Sequence, residues 1–302
     1  MGIVLIIGQA TRARAPAALP LSFSLSLATT RMSDPLLVQA EAGVARLRLN
    51  RPALHNAFDD ALVARLTEAL AAVGADPAIR AVVLEGEGAS FSAGADLNWM
   101  RGMAAAGEAE NRADALALAR LMRTLDELPK PTIARVHGAA FGGGVGLVAC
   151  CDIAIGAEGA KFGLTESKLG LLPAVISPYV IAAIGARQAR RWFATAETFD
   201  AHEARRIGLL HETVAPEALD AAVERQLGFL RKAGPHAAAS AKALVRRVAA
   251  GGEAAAVDAA NADLIAALRV SAEGQEGLSA FLDKRKPAWC ADAPAATDGK
   301  PA

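Results

Sequence analysis

The chain has 302 residues, 53% of them hydrophobic and 21% charged, a balance that belongs to a globular protein with a sizeable core and excludes a disordered chain. Lys plus Arg equals Asp plus Glu at 32 each, so no overall field draws the chain to nucleic acid or to an anionic membrane, and only a local basic site stays open. Charged residues or Pro interrupt every apolar run short of the roughly 18–20 residues of a membrane span, and the cysteines Cys150, Cys151 and Cys290 suit a reduced, cytoplasmic compartment better than a disulfide framework or a metal cluster.

Residues 1–31 carry Arg12, Arg14 and Arg31 among many Ala, Ser and Leu, with no acidic residue before Asp34. They read as an organelle transit peptide or, the favoured expectation, as a spurious extension before a true start at Met32; either way they stand outside the fold. From Gly43 the pattern alternates, Ala45, Leu47 and Leu49 against Arg46 and Arg48, which predicts a half-buried strand ending at Asn50-Arg51-Pro52. Leu62, Leu66, Leu70 and Val73 recur at helical spacing after the capping candidates Asp59 and Asp60, with Gly74 closing the helix. A strand over 81–84 follows, then a small-residue loop over 86–96. The next prediction is one long helix with Leu118, Leu121, Met122, Leu125 and Leu128 on one face, stopped by Pro129 and Pro131.

Residues 132–136 read as a strand, 138–144 as a tight turn, 145–151 as a short buried helix and 152–156 as another strand. Alternating strands and helices through about residue 165 favour a layered α/β core. Beyond Val175 the pattern is almost wholly helical, without strand signals after about Val214. The expected division is a non-core extension over 1–31, a core with the active site over 32–215, and a helical C-terminal region with a short disordered tail over 216–302.

Two glycine turns each follow a strand: Ser92-Ala93-Gly94-Ala95-Asp96 and Phe141-Gly142-Gly143-Gly144. Small residues there let backbone N–H groups approach a ligand oxygen, and the helix that opens at the second turn adds a positive dipole end. A bare glycine run is as often a packing turn, and the chain lacks GxGxxG and GxxxxGK[ST] phosphate loops. The five histidines are dispersed without HxxxH spacing, which disfavours zinc. Ser92 has no GxSxG elbow, and Cys150 sits in an apolar helix with no base nearby. Asp96 in such a turn caps the following helix more often than it acts on a ligand.

The pieces LNRPALHNAF, FSAGADL, VHGAAFGGGVGL, CDIAI, KFGLTESKLGLLP and EGLSAFLDKRKPAW, in this order over about residues 36–289, resemble the enoyl-CoA hydratase/isomerase (crotonase) family. The resemblance implies an α/β fold, a spiral of ββα units with a helical trimerisation region, and an oxyanion hole of two peptide amides for a CoA thioester. It implies no cofactor, no metal, and a homotrimer or dimer of trimers. Carried over, the amides fall on Ala95 and Gly143. Residues Ala95, Asp96, Leu97, Asn98 and Trp99, with Gly142 and Gly146, would line the substrate, and Phe281 and Lys284 would reach CoA from a neighbouring subunit. Glu166 stands at the family's acid/base glutamate. From the residues alone it could equally be a surface carboxylate paired with Lys161 or Lys168.

The chain departs from the family at two places. Hydratases usually keep a second glutamate three residues beyond the oxyanion-hole glycine, and here that position is Gly146. The segment Pro173-Ala174-Val175-Ile176-Ser177-Pro178 replaces a glycine-rich turn. The helix region with LLPAVISPYVIAAIGARQARRWF is similar to a bacterial branch assigned to methylglutaconyl-CoA hydratases of leucine breakdown. A hydro-lyase is therefore expected, with a double-bond isomerase or a catalytically silent acyl-CoA-binding protein as alternatives.

Overall fold

The computed structural model describes residues 34–290, so the expectations for residues 1–31 and for the last residues of the tail lie outside the described residues. The chain opens with β1 (Leu36–Glu41) and β2 (Val44–Leu49), then α1 (Asp60–Ala75), β3 (Ala81–Gly86), α2 (Leu97–Ala105), α3 (Glu108–Asp126) and β4 (Thr132–Val136). Next come β5 (Ala139–Phe141), α4 (Gly143–Cys150), β6 (Ile153–Ala157), β7 (Lys161–Gly163), α5 (Ser177–Thr195), β8 (Thr198–Asp200), α6 (Ala201–Ile207) and β9 (Glu212–Val214). Four helices finish the chain: α7 (Leu219–Lys232), α8 (Pro235–Ala249), α9 (Ala254–Val270) and α10 (Ala272–Leu282).

The larger sheet has the order β1-β2-β3-β4-β6-β9, antiparallel between β1 and β2 and parallel thereafter, and the smaller one has the order β5-β7-β8. Alternation along the central strands sends side chains to opposite faces. Ala45, Leu47, Leu49, Val82, Leu84, Ala134 and Val136 join the main core with α1, α3, α4 and α5, while Val44, Ala81, Val83, Ile133 and Ile155 pack on Leu219, Ala222, Val223 and Leu227 of α7. Such burial on both faces is what a parallel sheet requires.

Several elements differ from the sequence-based expectations. The long helix is broken into α2 and α3 at Ala106-Gly107, where the backbone is extended. The leucine pattern marks only α3; α2 has no buried residue, so no core stripe announces it. The turn over 138–144 contains β5, whose three residues are too few for a periodic signal. Gly74 lies inside α1, which caps at Asp76; Asp59 accepts the Leu62 amide at the other end.

Two backbone ladders bring the glycine turns together. The Phe91 amide donates to His137 O and the Ser92 amide to Ala139 O, both at 2.9 Å, and the Phe141 amide returns to Ser92 O at 2.9 Å. Contact is close: a Cβ on Gly94 would lie 2.9 Å from Phe141 O, and one on Gly144 would lie 2.7 Å from Ser92 O. Behind the first turn stands a buried polar cluster. Asn56, fully buried, accepts the Arg51 amide at 2.8 Å and donates to Glu87 O at 2.9 Å and Ser90 O at 2.7 Å, and its own carbonyl accepts from Ser92 Oγ at 2.9 Å. Its φ of 55° is left-handed, a conformation that Asn tolerates better than most side chains. Replacing Asn56 by Ala strands these buried backbone groups and is expected to cost about 3 kcal/mol. A lowered urea midpoint at unchanged slope would register it.

Candidate active site

The first turn is held by Phe58, whose amide donates to Gly94 O at 2.7 Å and whose carbonyl accepts the Asp96 amide at 2.8 Å. In this parallel bridge the polar groups of the residue between them point away from Phe58. That residue is Ala95. It is exposed, and its N–H has no backbone acceptor among the described residues.

The second turn presents a similar donor. Gly143 is the first residue of α4, so its N–H has no partner within the helix, and the aligned peptides behind it add a positive end. The residue before it, Gly142, has φ 48° and ψ −116°, a backbone that side chains resist, and its N–H is used by Gly163 O at 2.9 Å. Gly143 itself has no room for a side chain: a Cβ would stand 2.5 Å from the Phe58 ring. One aromatic side chain therefore packs on one amide-bearing residue while its backbone holds the other.

Glu166 arrives from the smaller sheet. Phe141 of β5 pairs with Gly163 of β7, and the chain then folds into a 3-10 turn over Glu166–Leu169. This returns the carboxylate to the second turn, with Oε1 3.1 Å from where a Gly142 Cβ would be. Oε2 is buried without a hydrogen-bond partner among the described residues. Burial pushes the Glu166 carboxyl above its ordinary range, and contact with its own amide offsets only part of that. Among the described residues it forms no ion pair, so the alternative of a surface pairing with Lys161 or Lys168 is not what the fold makes of it.

Other predicted residues fall into distinct places. The Asp96 carboxylate caps α2 through the Asn98 and Trp99 amides, at 2.8 and 3.2 Å, and meets Arg51 at 3.0 Å. Burial alone would raise it, but the two amides and the guanidinium together hold it below the usual carboxylate range. Its side chain is thus committed to the scaffold rather than to a ligand. Leu97 and Asn98 are exposed at the start of α2, and Trp99 is half-buried. Gly146 is buried, and Ile176 lies over it, so it offers no surface to a substrate, contrary to the expectation that it lines the site. Phe281 near the end of α10 and Lys284 just beyond it are exposed, and α10 packs on α9, the start of α8 and the segment around Trp289. None of these belongs to the glycine turns.

The stretch LNRPALHNAF carries the family likeness, yet nothing in its sequence pattern assigns its residues a task. Arg51, Asn56 and Phe58 in that stretch position the first turn, and their mixture of a cation, an amide and a ring in a loop just after a strand was the available signal. Cys150 and Cys151 are buried, and burial drives both thiols up, Cys151 to about 12, which makes them inert packing groups. A cavity of about 550 Å³ elsewhere is lined by Arg46, Arg48, Arg135, Glu85, Glu87 and Asp220. Its charged groups pair with one another, Arg48 to Glu85 at 2.8 Å and to Glu87 at 2.8 Å, while His137 on its wall donates Nε2–H to Gly88 O at 2.8 Å and leaves Nδ1 buried without a partner among the described residues.

The site as built offers two outward amides beside one desolvated carboxylate, an arrangement suited to charge on a carbonyl oxygen and a proton moving nearby. The family model described as Enoyl-CoA hydratase/isomerase matches residues 39–292. A crotonyl-CoA hydratase of Syntrophomonas wolfei is 34% identical over 258 residues, covering 84% of this chain and 96% of that protein. The crystal structure of an enoyl-CoA hydratase from Shewanella pealeana aligns with a TM-score of 0.82 at 45% identity over 84% of this chain and 96% of its own. Pseudomonas aeruginosa AtuE aligns with a TM-score of 0.82 at 42% identity over 85% and 99%. The chain belongs to the enoyl-CoA hydratase/isomerase family.

Proposed function

We propose that the protein is a hydro-lyase that adds water across the α,β-double bond of an enoyl-CoA thioester, with methylglutaconyl-CoA or a related carboxylated, branched enoyl-CoA as its substrate. The observation that carries the hydration reading is the placement of Glu166 against Gly142, one carboxylate oxygen buried and unpartnered, beside the free amides of Ala95 and Gly143. The thioester oxygen would accept hydrogen bonds from both amides. Ionised Glu166 takes a proton from water as its oxygen bonds to the β-carbon, the double-bond electrons move to the thioester oxygen, and the carboxylic acid returns the proton to the α-carbon. Removing one amide donor of such a hole typically costs about 3 kcal/mol of transition-state stabilisation.

The carboxylated substrate is the finer part of the reading. With Gly146 in place of a second glutamate, a carboxylate on the acyl chain is a chemical substitute for orienting the water. A 2,3-dehydroadipyl-CoA hydratase of Escherichia coli, whose name specifies a carboxylated chain, is 33% identical over 255 residues, covering 83% of this chain and 97% of that protein. The single carboxylate also suits an isomerase, which moves one proton between two carbons of the same chain. Retention of Glu166 beside both amides speaks against a silent binding protein.

The proposed assembly is a homotrimer or a dimer of trimers in the cytoplasm. No helix among the described residues is long and apolar enough to cross a membrane. Helices α8 and α9 have no buried residue among the described residues, and Val245, Ile265, Val270 and Phe281 on α8, α9 and α10 are exposed apolar side chains that a subunit contact would cover. Light scattering of the purified protein at micromolar concentration is expected to give a multiple of three protomers, and a monomer would refute the assembly.

Further outcomes test the chemistry. Glu166→Gln is expected to lower kcat for loss of enoyl thioester absorbance by about 10²–10⁴-fold. Its Tm should stay level or rise: a carboxyl raised in the folded state contributes stability below its unfolded pKa and loses it as pH climbs through the folded pKa, so a neutral isostere relieves a strain present at neutral pH. Hydration of methylglutaconyl-CoA should exceed that of crotonyl-CoA in kcat/KM. The reverse order removes the carboxylated substrate, and equal inertness of wild type and variant removes catalysis. Because Glu166 must be ionised to take the proton, kcat/KM is expected to fall on the acid side with a midpoint above the ordinary carboxylate range, along a single ionisation. Profiles recorded in overlapping buffers read that midpoint directly.

A further inference from the structure

Gly146 lies on α4, one turn beyond Gly143, and it has no empty space in front of it. A Cβ there would stand 2.9 Å from Ile176 Cβ, closer still to Ile176 Cγ2, and 3.2 Å from Met122 Cε. Met122 is unbranched and yields at its methyl end. Ile176 has little freedom to yield. It is 3% exposed, branched at Cβ, and set at the entry to α5, where the Val180 amide donates to its carbonyl at 3.1 Å and the Ser177 amide donates to Ala174 O at 3.3 Å. Pro173 and Pro178 stiffen the backbone on either side. Gly142, against which Glu166 rests, and Gly146, against which Ile176 rests, are separated by about 6 Å of helix rise. The carboxylate and the isoleucine therefore wall the same short stretch of α4.

We propose that Ile176 is a specificity-determining residue of this site: it occupies the space of any side chain at position 146, leaves Glu166 to move protons alone, and so disfavours enoyl thioesters whose acyl chain has no polar group of its own to hold water. The two departures from the family pattern, Gly146 and the Pro173–Pro178 segment, are on this account a matched pair. A glutamate at 146 alone has nowhere to go, because its methylenes meet Ile176 and its charge would be buried. Removing Ile176 opens the space without supplying a carboxylate. Only both changes together build a second acid/base group.

The substrate arm of this proposal rests on the hydration reading, whereas a stability arm does not. Gly146→Ala is expected to lower Tm by roughly 5 °C in the wild-type background through overpacking. In an Ile176→Ala background the same replacement should raise Tm, because Ala is the better helix former once the obstruction is gone. That reversal of sign belongs to direct occupancy and would not arise from a merely supportive role for Ile176. In the activity arm, G146E/I176A is expected to hydrate crotonyl-CoA at least tenfold faster than I176A and to show a second ionisation in its pH profile, while G146E alone loses Tm or soluble yield. A Gly146→Ala effect of the same sign in both backgrounds overturns the occupancy. A double variant that folds and binds CoA esters yet is no faster than I176A toward crotonyl-CoA overturns the specificity role. If wild type hydrates no enoyl thioester, the function proposed above fails by itself, and the stability cycle still decides whether Ile176 owns the space.

Discussion

The site depends on a few backbone hydrogen bonds between two loops that are far apart in sequence. The Phe91–Ser92 segment and the start of β5 exchange donors and acceptors in strand-like fashion, and this fixes the distance between a turn that follows β3 and a turn that follows β4. Backbone pairing is geometrically stiff, so the two outward amides inherit a defined separation without any side chain to set it. The absence of Cβ atoms at Gly94, Gly143 and Gly144 follows from that contact, since each would intrude on the opposite loop or on Phe58. The parallel sheet carries both loops at the carboxyl ends of adjacent strands, the usual place for ligand sites in open α/β sheets.

Around this pairing the charges are distributed by function. Arg51 bridges Asp59 and Asp96 at 2.8 and 3.0 Å, and Asn56 satisfies the loop carbonyls, so the polar groups of the support are hydrogen-bonded to one another. Glu166 is the contrast, a carboxylate with one buried oxygen left unmatched. Unmatched burial of a charge is costly, and a fold retains it most readily where the group has work to do. The same reasoning sets aside the charged cavity around Glu85, whose three arginines and acidic partners satisfy one another.

Much of this was legible in the sequence because it was periodic or chemically singular. The alternation of Val44–Leu49 named a strand, the leucines of α1 and α3 named helices, and the glycine turns with FGLTES pointed to the candidate site through family likeness. The misses have physical causes: β5, β7 and β8 have three residues each, too few to show a period, β1 has six but buries only Leu36 and so shows no alternating core face, and α2 buries nothing. The break between α2 and α3 was hidden because Ala106-Gly107 carries no proline. The role of Ile176 was out of reach for another reason. It is a relation between two distant positions, visible only when the space over Gly146 can be seen to be occupied.

That occupied space also bears on how such a chain can change over generations. A lineage with glycine at 146 and isoleucine at 176 would reach a two-carboxylate site only by passing through a protein that is either overpacked or hollow. Single substitutions on that route lower stability before any catalytic gain is felt. The order of events is then constrained, with the hollow intermediate the more tolerable because a buried cavity leaves no charge unsatisfied. Such a barrier acts as a ratchet, keeping the chemistry of one branch from drifting into that of its neighbours even though only two positions, 146 and 176, would have to change.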